Sequence, residues 1–198
     1  MYALLPFAWM LSTSLKTEAE AFNIPPTWIP VNPTPYAYIY MWVKKNFGLY
    51  FLNSTIISLS TAALSTFFGA LAGYGFSRFT FKGRKFFIGF FLATQMLPGV
   101  LLVGPYFKIL SKLGLYDTRT GLIIAFLTIC LPFSTWMMKG FIDRVPDALD
   151  QAAMIDGCSR MGVFFRIILP ISAPGMVATI IFAFLLAWGD LLWVICLT

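Results

Sequence analysis

Long stretches without charge limit what this chain can fold into more than any other feature. No Asp, Glu, Lys or Arg occurs in residues 46–77, 86–107, 120–138 or 167–189, and each stretch has at least 19 residues. A helix needs about 20 apolar residues to cross the hydrocarbon core of a bilayer. Since 59% of the 198 residues are hydrophobic and only 11% are charged, a membrane protein is predicted.

The number of spans follows from these stretches. A fifth uncharged run, Met1–Leu15, lacks the basic start and small-residue cleavage site of a signal peptide, so it is interpreted as a clipped first span. The hydrophobic run that includes Thr198 is interpreted as truncated as well. An all-α, polytopic membrane helix bundle with about five spans is therefore predicted. The other four spans are expected at about 50–76, 86–107, 120–138 and 174–198.

The net charge of +6 reports orientation rather than a nucleic-acid partner. The basic residues form no stripe with interleaved aromatic side chains, so nucleic acid is not expected to bind. If the loop at 16–48 lies outside, eight basic residues are cytoplasmic and six are external. The motif "RFTFKGRK" contributes most to this bias and places the loop at 77–85 in the cytoplasm.

Catalytic and metal chemistry is not predicted. The chain has no histidine, which removes the commonest general base and metal ligand. Cys130, Cys158 and Cys196 are scattered and match neither a disulfide framework nor a metal-ligand spacing. No glycine-rich phosphate loop of the Walker type occurs. We therefore expect no cofactor, no metal and no enzyme activity in this chain.

Three features interrupt the apolar pattern, and each has two interpretations. The segment "NIPPTWIPVNPTP" holds five of the twelve prolines and is either a stiff, extended spacer or a contact for an external partner. In "QMLPGVLLVGP", Pro98 and Pro105 remove backbone hydrogen bonds and interrupt the helix. Gln95, beside this interruption, either lines a cavity or lies next to a simple kink. Asp190, the one acid in its apolar run, lies at headgroup level or on a translocation pathway.

Residues 139–173, called the coupling loop below, carry a helical pattern. Pro146 suits a first turn, Gly157 can take the left-handed conformation that closes a helix, and Ser159 can cap a second helix that Pro170 ends. A helix–turn–helix is predicted. Its apolar stripes follow the spacing i, i+3, i+4, i+7. They are Val145, Ala148, Leu149, Ala152 and Ile155, and then Met161, Phe164, Phe165 and Ile168.

This periodicity leaves two uses open for the coupling loop. The small side chains of Ala152 and Ala153 near the turn leave room for another protein to approach. Alternatively, the helices lie in the lipid interface, which Arg160 and Arg166 would suit. A glycine at one fixed place favours the protein partner, because interfacial binding does not require one.

The motif "QAAMIDG", followed ten residues later by "ILP", resembles the EAA loop of bacterial ABC-importer permeases. The family pattern is Glu-Ala-Ala, two residues, Asp-Gly and a distant Ile-x-Leu-Pro. Gln151 stands where the family usually has Glu, which weakens a charge-assisted contact to a basic partner. The residues that match are Ala152, Ala153, Asp156, Gly157, Ile167, Leu169 and Pro170.

The resemblance extends over nearly the whole chain and is strongest to the carbohydrate, maltose-permease-like branch. "LPFAWMLSTSLKT", "NST", "GYGFSRFTFKGR", "QMLP", "LGLYDTRTGLI" and "PFSTWMMKGF" are similar to segments of that branch. "AWGDLLW" departs from it, since Gly189 and Asp190 replace Asn and Glu. Against the six spans usual in the family, a sixth span is missing here.

The resemblance implies a single permease domain, 1–198, in a bacterial inner membrane. It would form the pathway for a sugar. The cytoplasmic coupling loop would transmit the movements of a separate ATPase to the spans. The implied partners are a second permease subunit, two cytoplasmic ATPase subunits, an external solute-binding protein and membrane lipid. An amino-acid or peptide importer shares the EAA loop and is the main alternative. A secondary transporter is disfavoured because no internal repeat is evident.

Overall fold

All regular secondary structure in residues 2–198, the part of the chain that the computed structural model describes, is helical. The helices belong to two compact units, one that ends at Leu52 and a second, Asn53–Thr198. The helices are α1 (Leu5–Ser14), α2 (Glu18–Ala21), α3 (Tyr36–Lys44), α4 (Phe47–Arg78), α5 (Arg84–Thr94), α6 (Gly99–Lys112), α7 (Arg119–Ile142), α8 (Asp147–Ile155), α9 (Arg160–Val163), α10 (Leu169–Ile171), α11 (Ala173–Gly189) and α12 (Leu192–Leu197).

The first unit folds its proline-rich segment back against α1 and α2, so the expected extended conformation is wrong. The buried carboxylate of Glu20 accepts hydrogen bonds from the Val31 N–H at 2.7 Å and the Thr27 hydroxyl at 3.3 Å. The Thr34 N–H donates to the Leu15 carbonyl at 2.8 Å, which ties the end of the segment to the residue that follows α1. A buried carboxylate is stable here because backbone and hydroxyl donors replace the water that it loses.

We expect Glu20→Gln to loosen this segment. The Val31 N–H hydrogen bond holds the pKa of Glu20 below its ordinary value of 4.5 and, with the other donors, outweighs the effect of burial. The stabilisation is therefore present at neutral pH and is lost as pH falls below 4.5 and through the folded-state pKa. Hydrogen exchange of the Val31 amide should be about fivefold faster in the variant.

Glu18→Gln is the matched control, because Glu18 lies in the same helix but is exposed. It should leave exchange at Val31 unchanged at every pH. The wild type and Glu18→Gln should both protect the Val31 amide from exchange better than Glu20→Gln does at neutral pH. This difference should disappear in the acid range. Equal exchange in both variants at neutral pH would refute the role of Glu20.

Two helices in residues 2–198 are long and apolar enough to cross a membrane. They are α4, with 32 residues, and α7, with 24. They correspond to the spans predicted at about 50–76 and 120–138. Up to four spans result if each of two bent helix pairs in residues 2–198 is counted as one. In the first unit α1 has only ten residues, about 15 Å of helix, so a total of about five spans stays a prediction.

The other predicted spans are broken rather than straight. The span expected at 86–107 consists of α5 and α6, which meet at 97° around the "QMLP" break. Pro105 lies inside α6, which continues past it. The span expected at 174–198 consists of α11 and α12, and the backbone between them is extended at Asp190.

Glycines bring α4 and α7 into close contact. A Cβ built on Gly73 would lie 2.8 Å from the backbone nitrogen of Lys139, and one on Gly69 would lie 2.8 Å from Cβ of Ser134. Close approach through small residues is the usual way in which membrane helices associate, because lipid provides little hydrophobic driving force. The hydroxyl residues Thr61, Ser65 and Thr66 of α4 are buried as well and contribute to this packing.

Candidate functional site

Helix α8 ends in a tight turn at Gly157. Gly157 has φ of +86°, the left-handed conformation predicted for it. Its N–H donates to the Met154 carbonyl at 3.1 Å, and the Cys158 N–H donates to the Ala153 carbonyl at 2.9 Å. This pair of bonds is the Schellman motif, which satisfies carbonyls at the helix end and fixes the direction of the following chain.

The second loop helix begins as predicted but ends later. The Ser159 hydroxyl accepts from the Gly162 N–H at 3.1 Å and caps α9. The chain then forms a π-helical turn, Phe164–Ile168, and Pro170 lies in the first turn of α10. The prediction that Pro170 ends this helix is off by one residue, because the helix continues through the π-helical turn to Ile171. The helix breaks instead at Ser172, with a 77° bend into α11.

One side of the coupling loop packs into the bundle. Ala153, Val163, Phe164 and Ile168 are buried together with Tyr74 of α4 and Met138 and Ile142 of α7. The predicted second stripe is therefore divided, with Phe164 and Ile168 inside and Met161 and Phe165 exposed. The wider π-helical turn changes the 3.6-residue spacing on which that stripe was based. The loop is thus a fixed part of the second unit.

The other side of the coupling loop faces outward. We call Gln151, Ala152, Ile155, Asp156 and Gly157 the exposed face, because all five are exposed. Ile155 is 86% exposed. The first predicted stripe also points outward at its Ala148, Leu149, Ala152 and Ile155 members.

The structure therefore divides the sequence-predicted site residues into two groups. Four of the five residues of the exposed face were predicted as loop site residues, and Ile155 is the addition. Ala153 faces the bundle, while Ile167 and Leu169 are half-buried against the same apolar cluster. Pro170 is exposed but lies outside the turn. These other members support the loop instead of forming its surface.

Arg78, at the end of α4, is the residue that sequence reasoning missed. Its guanidinium contacts both acids in the first turn of α8, and the Arg78 and Asp150 side chains are only 10% and 8% exposed. The helix dipole alone accounts for two acids in a first turn, so Asp147 and Asp150 do not by themselves point to Arg78. Arg78 donates hydrogen bonds to Asp150 Oδ2 at 2.8 Å, the Val145 carbonyl at 2.8 Å, Ser77 Oγ at 3.3 Å and Asp150 Oδ1 at 3.5 Å, and it forms an ion pair with Asp147 Oδ1 at 2.7 Å.

The network continues to the end of α7. Ser77 donates to Asp143 Oδ1 at 2.7 Å, and the Lys139 ammonium donates to the other carboxylate oxygen. Burial raises the pKa of Asp143, but the hydrogen bonds from Lys139 and Ser77 outweigh it, so the pKa lies below its ordinary value. Asp143 is therefore ionised at neutral pH and joins the ends of α4 and α7.

Gln95 and Asp190, the candidates for a translocation pathway, both lie at helix breaks. Gln95 Nε2 donates to the Ile129 carbonyl of α7 at 2.9 Å, and Asp190 Oδ1 accepts from the Trp193 N–H at 3.1 Å. The breaks adjoin one another, since a Cβ on Gly99 would lie 3.3 Å from Nε1 of Trp193. Both side chains therefore stabilise broken helices, and neither contact tests a role in transport.

In the described part of the chain, no group of three His, Cys, Asp or Glu residues is arranged to hold a metal ion. The features above define a class of protein, a polytopic helical membrane protein whose ordered loop presents an exposed face beyond its spans. Residues 65–198 match the family described as binding-protein-dependent transport system inner membrane component. The chain belongs to this family, whose members are transport components and not enzymes.

Individual relatives agree with the family. The chain is 38% identical over 191 residues to the inner membrane ABC transporter permease protein YcjP of Escherichia coli (strain K12), covering 96% of this chain and 68% of the relative. It is 36% identical over 197 residues to the trehalose transport system permease protein SugB of Mycobacterium tuberculosis (strain CDC 1551 / Oshkosh), covering 100% and 71%. The chain thus spans about two thirds of the length of these relatives.

A solved structure matches the fold. A chain from the crystal structure of a bacterial ABC transporter involved in the import of the acidic polysaccharide alginate superimposes with a TM-score of 0.85. The match covers 99% of this chain and 69% of the other, with 22% sequence identity. At that identity the likeness establishes the helical permease fold and says nothing further about the substrate.

Proposed function

We propose that this chain is a permease subunit of a binding-protein-dependent ABC importer that carries a sugar. It contributes to the translocation pathway in a bacterial inner membrane, and a separate ATPase supplies the energy. The family description and the permease names of the relatives support the importer. Trehalose and sulfoquinovosyl glycerol in the names of relatives support a sugar over an amino acid or peptide.

The observation that carries the coupling role is the ordered, exposed face of the loop. The Schellman turn at Gly157 fixes α8 relative to α9, and the buried cluster beneath fixes both to α4 and α7. Ile155 is the most exposed apolar side chain of α8, and a partner that covered it would gain by removing it from water. We assign this face to the ATPase, which places the end of the bundle that bears α8 in the cytoplasm.

The composition of the exposed face indicates how the ATPase binds. The ordinary glutamate of the family is Gln151 here, so this position offers an amide in place of a charge. Ile155 and the backbone around Gly157 then supply apolar contact and shape. Contact through a few well-packed apolar anchors is sufficient for specific binding, because a small number of interface residues dominates the free energy.

The remaining partners and the pathway complete the proposal. A second permease subunit, two ATPase subunits and an external solute-binding protein form the assembly with this chain. The adjoining helix breaks that contain Gln95 and Asp190 lie on the translocation pathway. Broken helices inside a membrane are tolerated where they face protein or a cavity, which supports this placement.

We expect Ile155→Ser to reduce recovery of the ATPase with the permease about fivefold, since truncating a central apolar contact costs roughly 1 kcal/mol. The measurement is co-purification of the ATPase at equal permease level. Leu113→Ser is the control. Leu113 is also exposed, but it lies shortly before the start of α7, whereas the coupling loop lies at the end of that helix, about 36 Å away along its axis. Equal recovery in both variants would reject the exposed face as the ATPase contact.

A further inference from the structure

We propose that Arg78 is a positioning residue that makes α4 move together with the coupling loop. The inference rests on the proposed function, in which the loop follows the ATPase. Helices α7 and α11 are joined to the loop through the chain itself. Helix α4 is not, because Arg78 and Asp150 are 72 residues apart. Any movement of the loop reaches α4 only through non-covalent contacts, which are those of Arg78, Ser77 and Tyr74 and the packing of α4 on α7.

The contacts of Arg78 hold one geometry. Four hydrogen bonds to Asp150, Val145 and Ser77 and an ion pair with Asp147 engage all three nitrogens of the guanidinium. A planar group held in a fork cannot rotate without losing several bonds at once. The pair formed with Asp150 is shielded from solvent and is therefore little weakened by salt.

The other polar contacts between α4 and the loop are single hydrogen bonds. Ser77 donates to Asp143 Oδ1 at 2.7 Å, and the Tyr74 hydroxyl donates to the Arg160 carbonyl at 3.4 Å. The apolar packing of the Tyr74 ring on Phe164, with 5.2 Å between centroids, permits helices to slide by small amounts. The charged contacts of Arg78 are directional and oppose such sliding.

Arg78 also lies beside the proposed ATPase contact. Gln151 of the exposed face and Arg78 line the same cavity, which has a volume of about 190 Å³. The first turn of α8, which Arg78 holds, is continuous with the exposed face at its other end. Force applied to the exposed face therefore acts on a helix whose base is fixed to α4.

Spin-label distances in the complete transporter test the inference. One label replaces Gly75 on α4, where a side chain meets open space, and the other replaces exposed Ala148 on α8. The background carries Cys158→Ala and Cys196→Ala, while Cys130 is buried. With Arg78 present, the distance between the labels should stay within about 2 Å when ATP and magnesium are added.

In Arg78→Met, addition of ATP should shift this distance by about 5 Å, one helical turn. Arg78→Lys should give an intermediate shift, because lysine keeps the charge but not the planar fork. It is the variant to measure if Arg78→Met does not accumulate. Lys82→Met, an exposed cation in the adjacent loop, should behave like the wild type.

The outcomes separate this inference from the proposed function. A nucleotide-dependent shift in the transporter that retains Arg78 would overturn the inference, since α4 would not follow the loop. A distance that is altered in Arg78→Met but insensitive to ATP would overturn it too, because Arg78 would then only stabilise the fold. Failure of the ATPase to co-purify with the wild-type permease would instead reject the proposed function.

Discussion

Gly73→Leu should prevent assembly of the folded bundle. Its Cβ would lie 2.8 Å from the backbone nitrogen of Lys139 and 3.2 Å from the carbonyl carbon of Met138. Backbone of a packed helix cannot move aside as a flexible side chain does, so α4 and α7 must separate. We expect a loss of more than about 3 kcal/mol and at least a tenfold lower yield of monodisperse protein in detergent.

Gly75→Leu is the matched control for this prediction. It lies two residues further along the same helix, and a Cβ there meets nothing within 4 Å. Both substitutions gain the same helix propensity, about 1 kcal/mol, so that contribution cancels in the comparison. Gly75→Leu should therefore give nearly wild-type yield and thermal stability. Similar yields for the two variants would show that α4 and α7 do not require this close contact.

Local chemistry explains why the turn of the coupling loop was predictable. Gly157 and Ser159 act through the backbone of their nearest neighbours, so a glycine and a serine at the right spacing were sufficient to predict a left-handed turn and a cap. The apolar spacing of α8 was likewise predicted. The direction of its stripe was not, because periodicity alone does not say which face meets the bundle.

Long-range and backbone effects explain what was missed. Arg78 was counted only as a cytoplasmic charge, because a pair across 72 residues leaves no local pattern. An arginine at the end of an apolar run, with two acids opening a later amphipathic helix, is the signal that was available. The π-helical turn at Phe164–Ile168 moved the end of the helix past Pro170, and no residue type specifies such a turn.

Gly157→Val should leave membrane insertion nearly normal and reduce recovery of the ATPase at least tenfold. At φ of +86° a Cβ is strained by about 1–2 kcal/mol, and a β-branched residue is the least tolerant of this conformation. No atom of the chain lies within 4 Å of the added Cβ, so the substitution does not crowd the permease itself. The new side chain projects from the exposed face, where it would keep the ATPase away from the turn.

Gly114→Val separates backbone strain from contact with the partner. Gly114 has φ of +69°, and its added Cβ likewise meets nothing within 4 Å, but it lies between α6 and α7, away from the coupling loop. It should show the same strain with normal ATPase recovery. If the loop instead lies in the lipid interface, Gly157→Val would also retain the ATPase, and loss of the half-exposed Phe165 would weaken membrane association. Normal ATPase recovery with Gly157→Val would thus count directly against a coupling role for this loop.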